Sequence, residues 1–360
     1  MKATLQNLYA TVLTNTNTSL FRWKEGTEYK TITPREFSAE VTSLARALQQ
    51  KHGIQKGDRV AFIIYNGPEW HAIRFACSEI GAISIPILTE VSAHTLEIIL
   101  AKARPQIVIV GNDEQRKKAV TAIASEKIMW RRAIPVIAYR CGTTRSLPHS
   151  YVQKIVSPDD AAMIFFTSGT TADPKGVVHT HKSLMANIQA VHTKFGIQRN
   201  DILLSFLPIS HIFQQVADSL MLFAGASIAY IDNPLFIKSA FLEIEPTCMT
   251  VAPQILENLC HATKTKIRKT SQLATLAVTM GANKFSDSRM TRMLAKAINP
   301  ILRPIRKKVA QKIFGSQFRF FISGGAHLES SIAAYIHGGL ETAVWQGWGM
   351  TEMGGAGSCN

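Results

Sequence analysis

Apolar and polar positions along the chain alternate between a helical and an extended period. Thr33-Pro34-Arg35-Glu36 is a capping box with proline at the first helical position. Phe37, Val41, Leu44 and Leu48 then recur at helical spacing until Gly53 provides a stop. Residues 59–64, apolar without a break after Arg59, read as a buried strand. The spacing predicts a helix over 68–80 closed by Gly81, and the apolar run 82–88 predicts a strand. Ser92 can cap a further helix to about residue 103, and 107–110 is again short and wholly apolar. Repeated βα units whose strands are apolar on both faces predict an α/β fold with mostly parallel sheets flanked by helices. The Asp/Pro-containing stretch 156–160 marks a boundary, so a first α/β subdomain is expected over 1–156 and a second over 157–360. The second opens on a buried strand at 161–166.

The most apolar region, 202–231, is interrupted by His211, Gln214, Gln215 and Asp218. A bilayer span would carry those groups at high cost, so buried core elements are expected. Residues 1–19 hold one Lys and no sustained apolar run, unlike a secretory signal, and a cytoplasmic protein is expected. Composition agrees with a folded interior, at 46% hydrophobic and 18% charged residues. With 360 residues, two lobes are expected rather than one core. The five cysteines form no CxxC pair, which argues against a disulfide scaffold or zinc ribbon.

The formal net charge of +15 points, on composition alone, to nucleic acid, an anionic membrane or phosphorylated ligands. Most of it is local. Between His261 and Phe320 there are fourteen Lys/Arg and one acid, Asp287. Met290, Met293, Leu294, Ala297, Ile298, Ile301, Leu302, Ile305, Val309 and Ile313 recur there at three- and four-residue steps. Pro300 and Pro304 are expected to divide this pattern into two helices, the second beginning near Pro304. The plainer expectation is a pair of surface helices packed on the core; the sharper one is peripheral contact with the inner face of an anionic membrane. A nucleic-acid partner is not expected, because the basic residues are not interleaved with aromatics and no recognition motif is present.

Candidate chemistry begins where the 161–166 strand ends. Thr167-Ser168-Gly169-Thr170-Thr171-Ala172-Asp173-Pro174-Lys175-Gly176 carries four hydroxyls, two glycines and a lysine. Hydroxyls and exposed backbone N–H groups suit polyphosphate oxygens, glycine lets the backbone come close, and Lys175 adds a point charge. A Walker A loop would open a helix with Gly-Lys-Ser/Thr, whereas here Val177 and Val178 are expected to continue as strand. A polar turn between strands could share this composition, but the later motifs weigh against that reading.

This segment resembles the signature loop of the adenylate-forming (AMP-binding) superfamily, which includes acyl-CoA synthetases, luciferases and peptide-synthetase adenylation domains. It departs at Ala172, where the family has glycine. Three further stretches resemble that family in its order. Leu207-Pro208-Ile209-Ser210-His211-Ile212-Phe213 resembles the segment whose histidine lies beside the acyl carboxylate and α-phosphate. Ser323-Gly324-Gly325-Ala326-His327-Leu328 resembles the adenine-binding loop, with His327 where proline is common. Gln346-Gly347-Trp348-Gly349-Met350-Thr351-Glu352 resembles the motif whose aromatic stacks on adenine, whose threonine meets the α-phosphate and whose glutamate holds Mg²⁺. The family usually has Tyr at Trp348, and both offer a π-face.

The resemblance implies catalytic roles for His211, Thr351 and Glu352, with Glu352 the metal ligand. It implies nucleotide contacts from Thr167, Ser168, Gly169, Thr170, Thr171, Lys175, Gly324, Gly325, Ala326, Trp348, Gly349 and Thr351. ATP, Mg²⁺ and coenzyme A are the implied cofactors and co-substrates. Thr250-Val251-Ala252-Pro253-Gln254-Ile255-Leu256, the basic stretch and Phe318-Arg319-Phe320-Phe321-Ile322-Ser323 resemble long-chain fatty-acyl-CoA synthetases, so a fatty acid is the implied substrate. Transfer to a carrier protein instead of CoA is the alternative, and a non-catalytic nucleotide- and acyl-binding remnant is an alternative of another class. His179, His181 and His192 suggest a metal site, but His179 and His181 would alternate on a strand and face opposite ways. Structural or solvent roles are expected for all three.

In the resembling family the sequence continues well past the position matching Asn360, into a ribose-binding aspartate, a hinge and a small lid with a catalytic lysine. The expectation is therefore a truncated N-terminal part, inactive or weakly active alone, whose lid is absent or carried on a separate chain.

Overall fold

Capping chemistry sets the helices in register with the sequence. Thr33 Oγ1 accepts from the Glu36 N–H at 3.2 Å, and the Glu36 carboxylate accepts from the Thr33 N–H at 2.8 Å. The helix Pro34–Arg46 follows, and one wide turn, Ala47–Lys51, carries the chain to Gly53 at φ +67°. The helix Pro68–Ile80 stops on Gly81 in the left-handed region, and Ser92 caps Ala93–Ala103 through the Thr95 N–H. This computed structural model describes residues 3–17, 19–26, 28–124, 134–141, 151–167 and 173–360.

The fold is mixed α/β, and the chain divides into two compact units that interleave along the sequence. The first comprises Met1–Arg199, Pro208–Tyr230 and Met350–Gly355; the second comprises Asn200–Leu207, Ile231–Gly349 and Ala356–Asn360.

In the first unit a six-stranded sheet runs in the order Val136–Ala138, Ile107–Val110, Arg59–Ile63, Ile83–Ile87, Ala161–Thr167, Lys175–Thr180. All neighbours are parallel except the last pair, which is antiparallel with Thr167 opposite Lys175. The central strands are buried on both faces, as their unbroken apolar runs require: Ala61, Ile63, Ile85, Ile87, Val108 and Val110 pack against Leu96, Ile99 and Leu100. The strands Ser227–Tyr230, Phe21–Glu25 and Glu28–Ile32 pair in that order elsewhere in this unit.

The polar interruptions expected to lie in a core do so as one network. Asp218, on the buried helix Ile212–Ala224, accepts from Gln214 Nε2 at 2.6 Å and lies 3.2 Å from His71 Nε2. A carboxylate can only accept, so the His71 proton sits on Nε2. Arg74 donates to Ser219 Oγ at 2.6 Å, and its guanidinium lies 4.5 Å from the centre of the Phe75 ring. His71, Arg74, Asp218 and Ser219 are all fully buried.

In the second unit the strands Ile202–Ser205, Cys248–Val251, Phe320–Ser323 and Ala343–Trp348 lie side by side in parallel, and Ser358–Cys359 closes the edge antiparallel. Phe241, Phe314, Phe318 and Phe321 fill its core with ring centroids 4.6 to 6.2 Å apart. The basic stretch forms the helices Pro253–Thr270, Gln272–Ala282 and Arg289–Phe314.

Pro300 and Pro304 do not divide the last helix. It runs unbroken for 26 residues with both prolines inside it. Each proline removes one N–H from the helical ladder, freeing the carbonyls of Lys296 and Pro300. All of these residues are exposed, so water can satisfy those carbonyls and the interruption is tolerated. The inner side of the helix is tied independently: Glu341 accepts from Arg306 Nε and Nη2 at 2.9 and 2.7 Å, with Lys284 and Arg303 also within ion-pair distance.

Candidate active site

The carboxyl edge of the six-stranded sheet is where two of the sequence motifs emerge, and ligands of open α/β sheets bind at that edge. Thr167 ends its strand half-buried, and Lys175 begins the return strand exposed to solvent. Lys102, on the helix Ala93–Ala103, donates to the Pro174 carbonyl at 3.0 Å and lies 3.4 Å from Asp173. It pins the exit of the loop. Ser168, Gly169, Thr170, Thr171 and the departure at Ala172 lie outside the described residues.

The neighbouring parallel strand, Ile83–Ile87, receives the His211 loop. The Ile209 N–H donates to Asn66 Oδ1 at 3.0 Å, and Ser210 Oγ donates to the Ile87 carbonyl at 3.4 Å. His211 is the residue before the helix Ile212–Ala224, with an extended backbone and an imidazole that makes no capping bond. Partial desolvation lowers its pKa, against the opposing charge of Glu90. The ring is therefore neutral at pH 7, exposed, and able to offer one N–H.

Thr351 and Glu352 belong to the same unit and reach it through the short segment Met350–Gly355. His179 Nε2 donates to the Thr351 carbonyl at 2.8 Å, which fixes the ring's proton on Nε2. Burial lowers the His179 pKa, outweighing the Thr351 bond and the Glu352 charge that favour its protonated form. Asn187 Nδ2 donates to the Met353 carbonyl at 2.8 Å. Gly355, at φ +98°, folds the segment back so closely that a Cβ would sit 3.1 Å from the Ile212 carbonyl. Backbone clamps thus hold the segment, and among the described residues no hydrogen bond engages the side chain of Thr351 or Glu352.

His179 takes the structural role expected of it, but its partner was not legible, being 172 residues away. His181 is a correction. It does not alternate with His179 on a strand: Thr180 caps a new helix, and His181 is its first residue. Its Nδ1 accepts from the Leu5 N–H at 3.2 Å. His192 stacks edge-on against Phe223. Among the described residues no cluster of three or more His, Cys, Asp or Glu could hold a metal ion. Glu352 is a single exposed carboxylate, which fits Mg²⁺ held chiefly by phosphate oxygens and water rather than by a protein cage.

The remaining expected contacts lie in the second unit. Phe320–Ser323 and Ala343–Trp348 are parallel neighbours with Ser323 opposite Gln346, so Gly324 leaves its strand where the neighbouring strand continues through Gly347 to Trp348. Gly324 is buried and donates its N–H to the Val251 carbonyl at 3.2 Å. Gly325, at φ +87°, and Ala326 are exposed, as is His327. Trp348 presents its ring to solvent, 61% exposed, while its carbonyl accepts from the Gly357 N–H. An exposed indole beside an exposed glycine turn is a platform for a planar ligand.

A family model described as AMP-binding enzyme matches residues 10–360. The chain is 26% identical over 350 residues to the peroxisomal long chain acyl-CoA synthetase 6 of Arabidopsis thaliana, covering 90% of this chain and 48% of that protein. It is 25% identical over 336 residues to human long-chain-fatty-acid–CoA ligase 1, covering 85% and 47%. The chain spans about half the length of the curated relatives it matches. Among solved structures, the N-terminal domain of FACL13 from Mycobacterium tuberculosis superposes with a TM-score of 0.74 at 19% identity, covering 99% of this chain and 78% of that one. ATP-bound MatB from Rhodopseudomonas palustris gives 0.71 at 22% identity, covering 100% and 62%.

Proposed function

Because the chain belongs to the family of AMP-binding enzymes, we propose that it is the nucleotide-binding part of an acid–thiol ligase that activates a long-chain fatty acid with ATP. The acyl group would pass through an acyl-adenylate to coenzyme A. The observation that carries this reading is the run from Trp348 to Glu352, which supplies an exposed aromatic face, a hydroxyl and an exposed carboxylate within five residues. The long-chain substrate rests on the names of the relatives, which are long-chain synthetases.

Adenylation is an in-line displacement. A carboxylate oxygen of the acid attacks the α-phosphorus, and pyrophosphate leaves with the electron pair of the broken P–O bond. Negative charge builds on the phosphoryl oxygens, so preorganised donors matter most. The Thr351 hydroxyl would donate to the α-phosphate, and His211 would place its neutral N–H between that phosphate and the acyl carboxylate. Lys175 and the hydroxyls and N–H groups of Thr167, Ser168, Gly169, Thr170 and Thr171 would hold the leaving phosphates. Trp348 would stack on adenine, with the backbone of Gly324, Gly325, Ala326 and Gly349 lining its edge. Glu352 would hold Mg²⁺, which when bound neutralises phosphate charge.

Titration calorimetry with a non-hydrolysable palmitoyl-adenylate analogue tests the reading. Saturable binding that ATP competes away is expected, and Trp348→Ala should weaken it about 10- to 100-fold, the usual worth of one base–aromatic stack. Absence of binding by the folded chain, or an unchanged affinity in the Trp348 variant, would sink it.

A further inference from the structure

We propose that the solvent side of the helix Arg289–Phe314 is a docking face for the surface of an anionic lipid bilayer. The helix is apolar on two separate sides. Ala295, Leu302 and Phe314 are buried in the second unit together with Arg306. At about 100° per residue, Met290, Met293, Leu294, Ala297 and Ile301 fall on a different stripe, roughly 100° wide. All five are exposed, Met290 by 81% and Ile301 by 75%. The helix Gln272–Ala282 packs beside this one and adds exposed Leu273 and Leu276, and Phe285 is exposed in the connection.

Cations are arranged with respect to that stripe. Arg289, Lys296, Arg303 and Lys307 project in one row along its border, all exposed. Lys308 and Lys312 lie in line with the stripe itself, beyond its apolar part toward the helix C-terminus, and are also exposed. Long basic side chains beside an apolar stripe can bury their stems and keep their heads at the polar boundary. The sole acid between His261 and Phe320 is Asp287, and among the described residues the one ion pair made by this row is that of Arg303 with Glu341.

Charge complementarity selects the occupant. A second copy of the same face would bring two cationic rows together with few acids between them. A nucleic acid would pair with the cations and leave the apolar stripe in water. An anionic bilayer accommodates both: the methionines, Leu294 and Ile301 enter the acyl boundary, and the lysines and arginines meet headgroup phosphates. Among the described residues no helix is long and apolar enough to cross a membrane, and the contact proposed lies in the plane of the surface. It does not depend on the enzymatic reading above.

Co-flotation of the whole chain with vesicles of phosphatidylcholine, with and without phosphatidylserine, is the test. Binding is expected only where phosphatidylserine is present and is expected to fall steeply as salt rises. Met290→Ser with Ile301→Ser should weaken it roughly tenfold, and Lys296→Glu with Lys307→Glu should do the same and flatten the salt dependence. All four positions are exposed, so circular dichroism should be unchanged. Equal binding to both lipids, no binding, or variants that float like the parent would overturn the proposal. So would a dimer that the serine pair dissociates while flotation persists, or binding to a DNA duplex by a chain that ignores vesicles.

Discussion

A single imidazole governs how Thr351 is presented. His179 reaches the Thr351 carbonyl from an edge strand, and the neutral Nε2 tautomer is required because a carbonyl can only accept. His179→Ala leaves that carbonyl to water and frees the segment Met350–Gly355 on one side. An adenylate-analogue affinity about fivefold lower is expected, from one hydrogen bond worth about 1 kcal/mol, with partial rescue by His179→Gln. Calorimetry on the two variants checks this, and an unchanged affinity in His179→Ala would remove the clamp from the account. None of this was legible in the sequence, where His179 is one histidine among eleven. The candidate motifs themselves were legible because they are local: Trp348, Thr351 and Glu352 stand within five residues. Their supports, Asn66, Lys102 and Asn187, are ordinary polar residues until the fold delivers them.

Elements followed the sequence wherever a local stop or cap decides the matter. Pro68–Ile80 ends on Gly81 and Ala93–Ala103 begins after Ser92, each through backbone geometry that those residues favour. The helix Arg289–Phe314 did not, because the tolerance of Pro300 and Pro304 depends on which side of the helix meets water. Its inner side depends on one acid. Arg306 is fully buried, and Glu341 is its anionic partner. Glu341→Gln should destabilise the second unit by on the order of 3 kcal/mol at pH 7, because it leaves a buried guanidinium without its counter-charge. Burial alone would raise the Glu341 pKa, but the Arg306 hydrogen bond and the charges of Lys284, Arg306 and Arg303 hold it below 4.5. A depressed carboxylate contributes fully above its unfolded pKa and loses that contribution as pH falls through the folded value. Urea unfolding of parent and variant should therefore converge below about pH 4.5; a gap constant with pH would refute the ion-pair account.

At the scale of the molecule the two units should respond to acid at different pH. In the first, burial pushes both His71 and His181 down to about 4. A folded pKa below the unfolded 6.5 means that the unfolded chain takes up the proton first, so stability is intact above 6.5 and drains away toward 4. Each histidine is worth on the order of 3 kcal/mol across that window. Charging His181 also cancels its acceptor role toward the Leu5 N–H. Hydrogen exchange near pH 5 should open the helices Pro68–Ile80 and Ile212–Ala224 while the strand Phe320–Ser323 stays protected; simultaneous opening would contradict this.

The interleaving of the units bears on how the protein is made. The first unit needs Met350–Gly355, with Gly355 closing against Ile212, yet that segment leaves the ribosome only after everything from Asn200 to Gly349 has been synthesised. The early-emerging sheet must wait for the segment that carries Thr351 and Glu352. A nascent chain is thus kept from closing its first unit until the strand that carries Trp348 has itself been delivered.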